Sequence, residues 1–482
     1  MDSRKIQKGD LFVAYQGIRT DGHQFISDAI RNGAAVIIGE KDIVLQSNVP
    51  YIQVGNARKS LSRIAAVYYD FPALTIPKVI GVTGSKGKTT TVHMLADIFS
   101  YAGYKVGFIS TLGVFDGNDE FETDVHTTTP DALSIQRYLW LMMKNEVDIA
   151  IIETSSHALS QYRVHDCYFD TAIITNIEPE HLDYHSCLED YVFSKTKLFD
   201  YLTKTAKIKG KTTISVLNGD DDWISVFQNF SADATVIYSQ ENEGDFKASS
   251  ISSRAGRPVY LLSYPGGRER VYLNVFGTFN IYNSLAAISA AFSHGIAMDK
   301  ILTAIANFSG ITGRFVSVDV GQPYKVFIDY AHTPNSLRKL LQSAKNLQSN
   351  VSPEGKLLLL FGLSGGRDKN KRILMGKIAA TYADKVVVTS VDWYPEEHAS
   401  NIIEEISRGI IQTGTLIEGR NFWKIIDRLE AINYIINLAD KNDIVLIVGK
   451  GHEHTLTING NIVPWDEKAA VTNALLARLN SN

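Results

Sequence analysis

A glycine-rich segment, GVTGSKGKTTT at 81–91, constrains the fold of this chain more than any other feature. It follows the apolar run KVIGV and precedes a stretch whose apolar residues recur at helical spacing up to Gly103. Glycines in such a turn let backbone N–H groups approach phosphate oxygens, and the N-terminus of the following helix attracts the same anion. The order of strand, glycine-rich loop and helix therefore predicts an α/β fold with a mostly parallel sheet and a nucleoside triphosphate site.

The loop supplies the residues that we predict to bind ATP. Lys88 provides a point charge for the phosphates, and Thr89 offers a hydroxyl to Mg²⁺. The spacing departs from the common phosphate-binding motif, because Val82 rather than a glycine stands five residues before Gly87. A glycine-rich turn with an incidental lysine is the alternative, but the flanking strand and helix disfavour it. The predicted ATP-binding residues of the loop are Gly84, Ser85, Lys86, Gly87, Lys88, Thr89 and Thr90.

Length and charge narrow the classes of protein that fit. At 482 residues the chain exceeds the size of one hydrophobic core, so several domains are expected. Lys and Arg number 48 against 52 Asp and Glu, which gives no electrostatic footprint for nucleic acid or an anionic membrane. The two cysteines fit a reducing compartment, and the N-terminus MDSRKIQKGD lacks the apolar stretch of a secretory signal. We therefore expect a cytoplasmic enzyme without a nucleic-acid or membrane partner. We also expect it to be a monomer, although none of these features bears on the oligomeric state.

Alternating apolar runs and helical patterns predict three domains, at 1–77, 78–311 and 312–482. The first contains the runs LFVAY, AAVIIG and YIQV, and its end, 71–77, is predicted to be a linker. The second contains further buried strands, VDIAIIE and TAIITN. The third contains KVFIDYAH, KLLLLFG, KVVVTS and DIVLIVG, which predict a second doubly wound sheet whose strand ends line a cleft.

Three polar residues of the second domain are candidates for chemistry. Glu153 ends a strand beside the glycine-rich loop, where a carboxylate could hold Mg²⁺, although a surface glutamate fits equally well. His181 follows another buried strand, and a single histidine is more often structural than a ligand. Lys195, in YVFSKTKLF, has the neighbours of an ordinary solvated helix lysine. Taken one by one, these residues leave the choice open.

Nine motifs, taken together, connect the chain to a known family. They are, in order, GSKGKTTT, HTTTP, ETSSHALSQYRV, TNIEPEHLDYH, YVFSKTKLF, FGTFNIYNSLAA, DYAHTPNSL, GGRDKNKR and GKGHE. By these motifs the sequence resembles the Mur ligases, in particular those that act on UDP-N-acetylmuramoyl-dipeptide. The resemblance covers essentially the whole chain. It implies a small N-terminal α/β domain for the uridine nucleotide, a central ATPase-type domain with a parallel sheet, and a Rossmann-like C-terminal domain for the amino acid.

The implied activity is amide-bond formation in peptidoglycan synthesis, driven by ATP with Mg²⁺. The partners would be UDP-N-acetylmuramoyl-dipeptide and a free amino acid, which is added as the third residue of the peptide through an acyl-phosphate. By motif position, Lys88 looks like the phosphate-binding lysine, and Thr89, Glu153 and His181 look like metal ligands. Lys195 matches the lysine that this family carbamylates to N6-carboxylysine, which turns an ammonium into a carboxylate that can face a cation.

Further site residues are implied by the same resemblance. Lys86 departs from the family, because its position is usually an asparagine. Ser3 and His23 match positions of the uridine site. The positions that hold the muramoyl-peptide are matched by Thr128, Thr129, Ser155, Gln161 and Arg163, and further nucleotide-contacting positions by Asn283, Arg314 and Asp329.

The identity of the added amino acid depends on the stretch after KVVVTS. Diaminopimelate-adding relatives carry an Asp-Asn-Pro-Arg motif there, whose arginine pairs with the distal carboxylate, whereas this chain has SVDWYPEE. The acidic residues predict an amino acid with a cationic far end, such as lysine or ornithine. Matches to amino-acid-binding positions of diaminopimelate relatives keep meso-diaminopimelate as an alternative. The predicted amino-acid-binding residues are Arg367, Asp392, Glu396, Gly449 and Glu453, with Glu397 in the same acidic loop.

Two other interpretations remain. Another ligase of the superfamily, of the folylpolyglutamate or cyanophycin type, would have no use for a uridine-binding domain in residues 1–70. A catalytically inactive nucleotide-binding scaffold would have no chemical need for Lys88, Glu153, His181 and Lys195 together.

Overall fold

The computed structural model describes residues 2–17, 20–45, 47–121, 128–181, 184–254, 256–311, 313, 315–351, 353–366 and 369–481. It divides into two compact units. The first unit comprises Met1–Phe246 and Leu285–Ile301, and the second comprises Lys247–Ser284 and Leu302–Asn482.

The first unit begins with a small parallel sheet, as the sequence predicts. Residues of alternating parity point to opposite faces of a strand, and here both faces are covered. Phe12 and Ile37 enter one apolar cluster, whereas Val13 and Ile38 enter another together with Ala57. The strands lie side by side in chain order, β1 Leu11–Val13, β2 Val36–Gly39 and β3 Tyr51–Gln53, and the helices are α1 Ile26–Arg31 and α2 Ala57–Tyr68.

The linker predicted at 71–77 is wrong. This segment contains a short helix, α3 Pro72–Thr75, which begins with a proline at its first position. Ala73 and Ile76 are 0% and 1% exposed and belong to the apolar core of the central sheet. Two prolines suggested a solvated connection, but burial of these apolar side chains makes the segment part of the core.

The rest of the first unit is built on a larger sheet with the order β11-β10-β9-β4-β8-β5-β6-β7. The pairs from β11 to β5 are parallel, and β6 and β7 add an antiparallel edge. The strands are β4 Lys78–Thr83, β5 Val106–Ser110, β6 Gly113–Phe115, β7 Glu120–Phe121, β8 Ile149–Glu153, β9 Thr171–Ile174, β10 Ile214–Asn218 and β11 Ala234–Ser239. The helices are α4 Lys88–Tyr101, α5 Ala132–Lys144, α6 Ser156–Ser160, α7 Leu188–Lys209 and α8 Ile224–Gln228.

The centre of this sheet determines where the candidate site lies. Strand β4 runs between β8 and β9 and parallel to both. Their carboxyl ends therefore meet at one edge, which is where open α/β sheets bind ligands. The glycine-rich loop follows β4, Glu153 ends β8, and residues 175–181 follow β9.

The second unit contains antiparallel strands and a doubly wound sheet. The antiparallel strands are β12 Phe246–Arg254, β13 Arg257–Tyr264 and β14 Gly267–Tyr272. Helices α9 Phe279–Ser293 and α10 Met298–Asn307 each contain a boundary between the units. The doubly wound sheet consists of β15 Val316–Val318, β16 Lys325–Asp329, β17 Leu357–Phe361, β18 Lys385–Val388, β19 Phe422–Lys424 and β20 Ile444–Val448.

The order β15-β16-β20-β17-β18-β19 places the four predicted strands at the centre of this sheet. All neighbours are parallel except β15 and β16. Leu359 and Leu360 of β17 enter different apolar clusters, so both faces are buried. The remaining elements are α11 Pro334–Val351, α12 Asn370–Tyr382, α13 Ala399–Ile411, α14 Arg428–Leu438, the hairpin β21 Thr455–Ile458 and β22 Asn461–Pro464, and α15 Glu467–Ser481. None of the helices in the described ranges has the length and apolar character needed to span a bilayer.

Candidate active site

The glycine-rich loop lies in close contact with the segment that follows β9. Gly84 has φ 141°, and a Cβ atom there would lie 1.9 Å from Thr175 Oγ1. Gly87 precedes α4 with φ 83° and gives the helix no side-chain cap. These backbone conformations favour glycine at both positions. Helix α4 begins at Lys88, Thr89 and Thr90, and the N–H groups of its first turn receive no hydrogen bond from a side chain of Gly87. This is the geometry of an anion site at a helix N-terminus.

Hydrogen bonds fix the loop to residues 175–181, which we call the post-β9 segment. The backbone N–H of Ser85 donates to the Asn176 carbonyl at 2.8 Å. The backbone N–H of Lys86 donates to Asn176 Oδ1 at 3.0 Å, and Thr175 Oγ1 donates to the Lys86 carbonyl at 2.6 Å. Ser85 Oγ also accepts from the Glu178 N–H at 2.8 Å. The conformation of the loop therefore depends on a strand that is distant in sequence.

Two lysines of the loop have different surroundings. Lys88 Nζ donates to the carbonyl oxygens of Gly84 and Ser85, both at 3.0 Å. Lys86 Nζ pairs with Glu180 Oε1 at 2.6 Å. The loop thus places two ammonium groups where a triphosphate is predicted to bind.

Glu153 and Thr89 are brought together as the sequence predicts. Thr89 Oγ1 donates to Glu153 Oε1 at 3.0 Å, and the glutamate is only 1% exposed. The other carboxylate oxygen accepts from the backbone N–H and the hydroxyl of Thr111, at 2.8 and 3.0 Å. A hydroxyl and a carboxylate oxygen are donors that suit Mg²⁺, so the residues present fit this cation. Thr111 escaped the sequence prediction, although it follows β5 at the same sheet edge.

Lys195 is not the solvated lysine that its neighbours suggest. It is 1% exposed on α7, its Nζ lies 4.4 Å from the centre of the Tyr191 ring, and it donates to the Gly84 carbonyl at 2.9 Å. Burial holds the pKa of this amine well below its ordinary value, and the nearby ammonium groups of Lys88 and Lys86 act in the same direction. A neutral amine is thereby favoured next to the phosphate loop.

His181 ends the post-β9 segment in a conformation that is unfavourable for a residue other than glycine. Its φ is 58°, and its ring centre lies 4.8 Å from that of His157 on α6. Burial lowers the pKa of His181 to about 4, with Lys88 and Lys195 acting in the same direction and Glu180 opposing them. The imidazole is therefore neutral near pH 7 and has a lone pair for a cation.

Four of the residues predicted to bind the muramoyl-peptide form one network. Arg163 donates from NH1 to the Thr129 carbonyl at 2.6 Å and from Nε to Gln161 Oε1 at 3.0 Å. Thr129 Oγ1 and Ser155 Oγ lie 3.3 Å apart. Tyr184 joins the network by accepting from Gln161 Nε2 at 3.1 Å, and nothing in its sequence context had pointed to it. Thr128 directly precedes this network.

The two predicted uridine-site residues occupy different places in the small sheet. Ser3 is buried, and its carbonyl accepts from Asn32 Nδ2 at 2.8 Å. His23 Nε2 accepts from the Glu40 N–H at 3.0 Å, while Nδ1 lies 2.6 Å from Asp21 Oδ1. Both imidazole nitrogens of His23 therefore have structural partners, and the described contacts do not join it to Ser3.

The other predicted nucleotide residues belong to the second unit or lie outside the described residues. Asn283 donates from Nδ2 to Asn280 Oδ1 at 2.8 Å. Asp329, at the end of β16, accepts from the N–H groups of Phe315 and Ala331 at 2.8 and 2.7 Å. Arg314, like Arg367 of the amino-acid site, lies outside the described residues.

Three acidic residues of the predicted amino-acid site, Asp392, Glu397 and Glu453, already have cationic partners. Lys450 Nζ lies 3.1 Å from Asp392 Oδ1 and 2.8 Å from Glu453 Oε2. Glu397 pairs with Arg372 at 2.9 Å. The hydrogen bond from Arg372 is the main reason why the pKa of Glu397 lies below its ordinary range. Glu396 is exposed, and the Gly449 N–H donates to the Asp329 carbonyl at 3.1 Å. Because Lys450 serves two of these carboxylates, the charge of this loop is only partly compensated within the protein.

Comparison with known proteins agrees with this arrangement. The description "Mur ligase family, catalytic domain" matches residues 1–69, "Mur ligase middle domain" matches 82–291, and "Mur ligase, glutamate ligase domain" matches 313–451. A UDP-N-acetylmuramoyl-L-alanyl-D-glutamate–2,6-diaminopimelate ligase of Bacillus velezensis is 38% identical over 480 residues, which cover 100% of this chain and 94% of that relative. The chain belongs to the Mur ligase family.

Solved structures extend the similarity of this Mur ligase to the whole fold. A UDP-N-acetylmuramoyl-L-alanyl-D-glutamate–2,6-diaminopimelate ligase superposes with a TM-score of 0.68 at 28% identity, covering 99% of this chain and 94% of that one. The MurF ligase of Thermotoga maritima, solved in complex with ADP, gives 0.62 at 19% identity, covering 100% and 97%, and shows the fold alone. The predicted family and α/β fold class are confirmed, and this Mur ligase is an ATP-dependent, ADP-forming acid–amino-acid ligase.

Proposed function

We propose that this Mur ligase adds the third amino acid to UDP-N-acetylmuramoyl-L-alanyl-D-glutamate in peptidoglycan synthesis. The relatives that support this assignment are named for that reaction and match along the full chain. The observation that carries it is the convergence of three elements in one site. The phosphate loop with Lys88, the Thr89–Glu153 pair and the buried Lys195 all meet at the carboxyl edge of β4.

Mg²⁺ would be held by Thr89, Glu153, His181 and carbamylated Lys195. The Thr89 hydroxyl and the Glu153 carboxylate are already in contact, and both are oxygen donors. When bound, the cation supplies positive charge that stabilises the transferring phosphoryl group. Lys88 adds a fixed ammonium beside it.

Carbamylation of Lys195 follows from its surroundings. The neutral amine nitrogen attacks the carbon of CO₂, so that a C–N bond forms and one C–O π bond opens to give the carboxylate, and one N–H proton of the adduct leaves to solvent. Only a neutral amine has the lone pair for this attack, and burial beside Lys88 favours that form. The product carries a negative charge, which suits a site that contains Lys86 and Lys88.

The ligase reaction begins at the D-glutamate carboxylate of the substrate. A carboxylate oxygen attacks the γ-phosphorus of ATP, and the bond between the γ-phosphorus and the β–γ bridging oxygen breaks. The products are an acyl-phosphate and ADP. Lys88 and the first-turn N–H groups of α4 stabilise the charge that develops on the phosphate oxygens. The amine of the incoming amino acid then attacks the acyl carbon, a C–N bond forms, the bond to the phosphate oxygen breaks, and one amine proton leaves with the departing phosphate.

The remaining predicted residues complete the proposal. The Arg163 network with Thr128, Thr129, Ser155 and Gln161 would hold the peptide, since its guanidinium and hydroxyl groups suit a carboxylate-bearing chain. Residues 1–77, with Ser3 and His23, would take the uridine nucleotide. Residues 78–311 would take ATP, with Asn283, Arg314 and Asp329 as further contacts, and 312–482 the amino acid. We expect a cytoplasmic monomer that acts on these small molecules alone.

We propose meso-diaminopimelate as the amino acid. The sequence prediction of a cationic amino acid, such as lysine or ornithine, assumed that the acidic side chains of this loop have no cationic partner within the protein. Asp392 and Glu453 instead share Lys450, and Glu397 pairs with Arg372. These pairings weaken the charge argument from the sequence, and the similar ligases are named for diaminopimelate.

A substrate panel tests this function. The protein is incubated with ATP, Mg²⁺ and UDP-N-acetylmuramoyl-L-alanyl-D-glutamate, and phosphate release is measured with meso-diaminopimelate, lysine or ornithine. We expect kcat/KM for diaminopimelate to exceed the others at least tenfold, which corresponds to about 1.4 kcal/mol. If kcat/KM for lysine or ornithine exceeded that for diaminopimelate by the same factor, the prediction of a cationic amino acid from the sequence would be correct. No release with any of them, while a folate or a cyanophycin primer supports turnover, would contradict the proposed function.

A further inference from the structure

Lys86 of the phosphate loop forms an ion pair with Glu180 of the post-β9 segment. Here the Lys86 ammonium lies 2.6 Å from Glu180 Oε1, with side chains that are 27% and 12% exposed. Charges shielded in this way attract each other more strongly than a pair on the open surface. The pair connects the phosphate loop to the residue directly before His181.

The backbone of His181 needs such a connection. A φ of 58° is unfavourable for a residue with a Cβ atom, and such a conformation persists only when neighbouring contacts hold it. On its C-terminal side, the His181 carbonyl accepts from the N–H groups of Tyr184 and His185, at 3.0 and 2.9 Å. On its N-terminal side, the preceding residue, Glu180, forms the ion pair with Lys86. The segment is thus anchored at the residue before His181 and at the His181 carbonyl.

We propose that Lys86 is a positioning residue that acts through Glu180. By holding Glu180 it fixes the His181 ring relative to the phosphate loop, and it thereby sets the affinity of the site for the metal–nucleotide complex. This inference rests on the proposed role of His181 as a metal ligand. Lys86 itself does not touch the metal.

A direct role of Lys86 on the phosphates makes an opposite prediction. If the ammonium acted only as an extra cation for ATP, removal of the Glu180 charge would release it and strengthen nucleotide binding. If it acts through Glu180, loss of either partner disturbs His181 in the same way. The variant Glu180→Gln therefore separates the two explanations.

The experiment measures binding of a non-hydrolysable ATP analogue by calorimetry, once with Mg²⁺ and once with EDTA. The variants are Lys86→Met, Glu180→Gln, the double variant and Lys86→Arg. We expect the ratio of the two affinities to fall about tenfold in both single variants, and no further in the double variant, because coupled residues are not additive. Lys86→Arg keeps the ion pair and should retain the wild-type ratio. An unchanged ratio in Glu180→Gln, or losses that multiply in the double variant, would overturn the proposal.

Two controls keep this result separate from the proposed function. Lys345→Met removes a lysine that pairs with Asp384 at 2.9 Å in the second unit, and it should leave the ratio unchanged. Thermal unfolding checks that each variant is folded. Because binding needs neither acceptor nor amino acid, a reduced ratio in the variants supports the role of Lys86 even where the substrate panel fails. A wild-type protein with no metal-dependent gain in affinity overturns it even where the panel succeeds.

Discussion

Lys88 and Lys195 donate to the same acceptor, the carbonyl oxygen of Gly84, at 3.0 and 2.9 Å. Two ammonium groups on one oxygen repel each other, and the repulsion is relieved when one of them loses its proton. Lys195 is fully enclosed, and burial lowers the pKa of its amine well below the ordinary value. The approach of Lys88 to the same carbonyl adds to this effect and favours the neutral form of Lys195.

Lys195→Ala is expected to abolish ligase activity, and added bicarbonate should not restore it. Lys195→Glu should retain part of the metal binding, because it supplies a carboxylate on a shorter side chain. The wild-type protein, purified and assayed without CO₂, should gain activity when bicarbonate is added. Phosphate release measures all three.

A direct observation of the carbamate completes this test. Wild-type protein equilibrated with ¹³C-bicarbonate should show a carbamate carbon resonance that is missing in Lys195→Ala. An active enzyme whose Lys195 remains an unmodified amine would show that the charge of this residue has been misassigned.

Lys88→Ala is expected to reduce kcat by about 10²- to 10³-fold, since it removes one fixed donor for the charge that develops on the phosphates. The side chain is half-buried and its described hydrogen bonds go to loop carbonyls, so the fold should survive. Circular dichroism and the unfolding temperature verify this. Wild-type turnover in the variant would refute the assignment of the loop as a phosphate site.

Thr89→Val removes a hydroxyl at nearly constant volume. We expect the Mg²⁺ concentration for half-maximal activity to rise about tenfold, because one oxygen ligand is lost and its contact with Glu153 disappears. Thr111→Val is the matched control. It also removes a hydroxyl bonded to Glu153, but the Thr111 backbone N–H remains at 2.8 Å, so a smaller effect is expected. Equal effects of the two variants would place the metal away from Thr89.

His294 provides a pH-dependent contribution to stability. Lys78 Nζ and Thr171 Oγ1 both lie 2.9 Å from its ring nitrogens, and burial, with Lys78 acting in the same direction, lowers the pKa of His294 to about 3. The native state therefore keeps the ring neutral, whereas the unfolded chain binds a proton below pH 6.5. The free energy of unfolding should fall as pH drops from 6.5, by up to about 1.4 kcal/mol per pH unit from this group.

The variant His294→Gln isolates this contribution. Urea unfolding of the variant should show a pH slope that is shallower by that amount between pH 6.5 and 4. Other partly buried histidines, such as His93 and His165, also have lowered pKa values and act in the same direction, so the wild-type slope exceeds that of one group. Identical slopes in both proteins would show that His294 titrates normally.

Local patterns were sufficient to predict the central strands of the parallel sheets and the glycine-rich loop after β4, but not the antiparallel strands β12, β13 and β14. Continuous apolar runs such as those of β8 and β17 have few alternatives to buried parallel strands, and the glycines at 84 and 87 have conformations that other residues rarely adopt. Glu153 could be placed because it ends such a strand.

Lys195 shows what the local context missed. The same helix buries four apolar or aromatic residues three or four positions from Lys195, namely Tyr191, Val192, Leu198 and Phe199. Helical periodicity therefore places Lys195 on the buried face, which its immediate sequence neighbours do not indicate. The acidic loop is a different case. The pairing of Asp392 with Lys450 joins residues 58 apart in sequence, and only the folded sheet brings them together.

The contact between Gly84 and Thr175 has a consequence for how the protein is made. The phosphate loop is held by partners some 90 residues further along the chain, such as Asn176, and its own sequence cannot impose its shape. During translation the loop must remain unformed until β9 has left the ribosome and aligned with β4, and closing so long a chain segment carries an entropic cost. A nascent chain that stops before β9 should therefore be unable to retain nucleotide, which makes ATP binding a late event in the biogenesis of this enzyme.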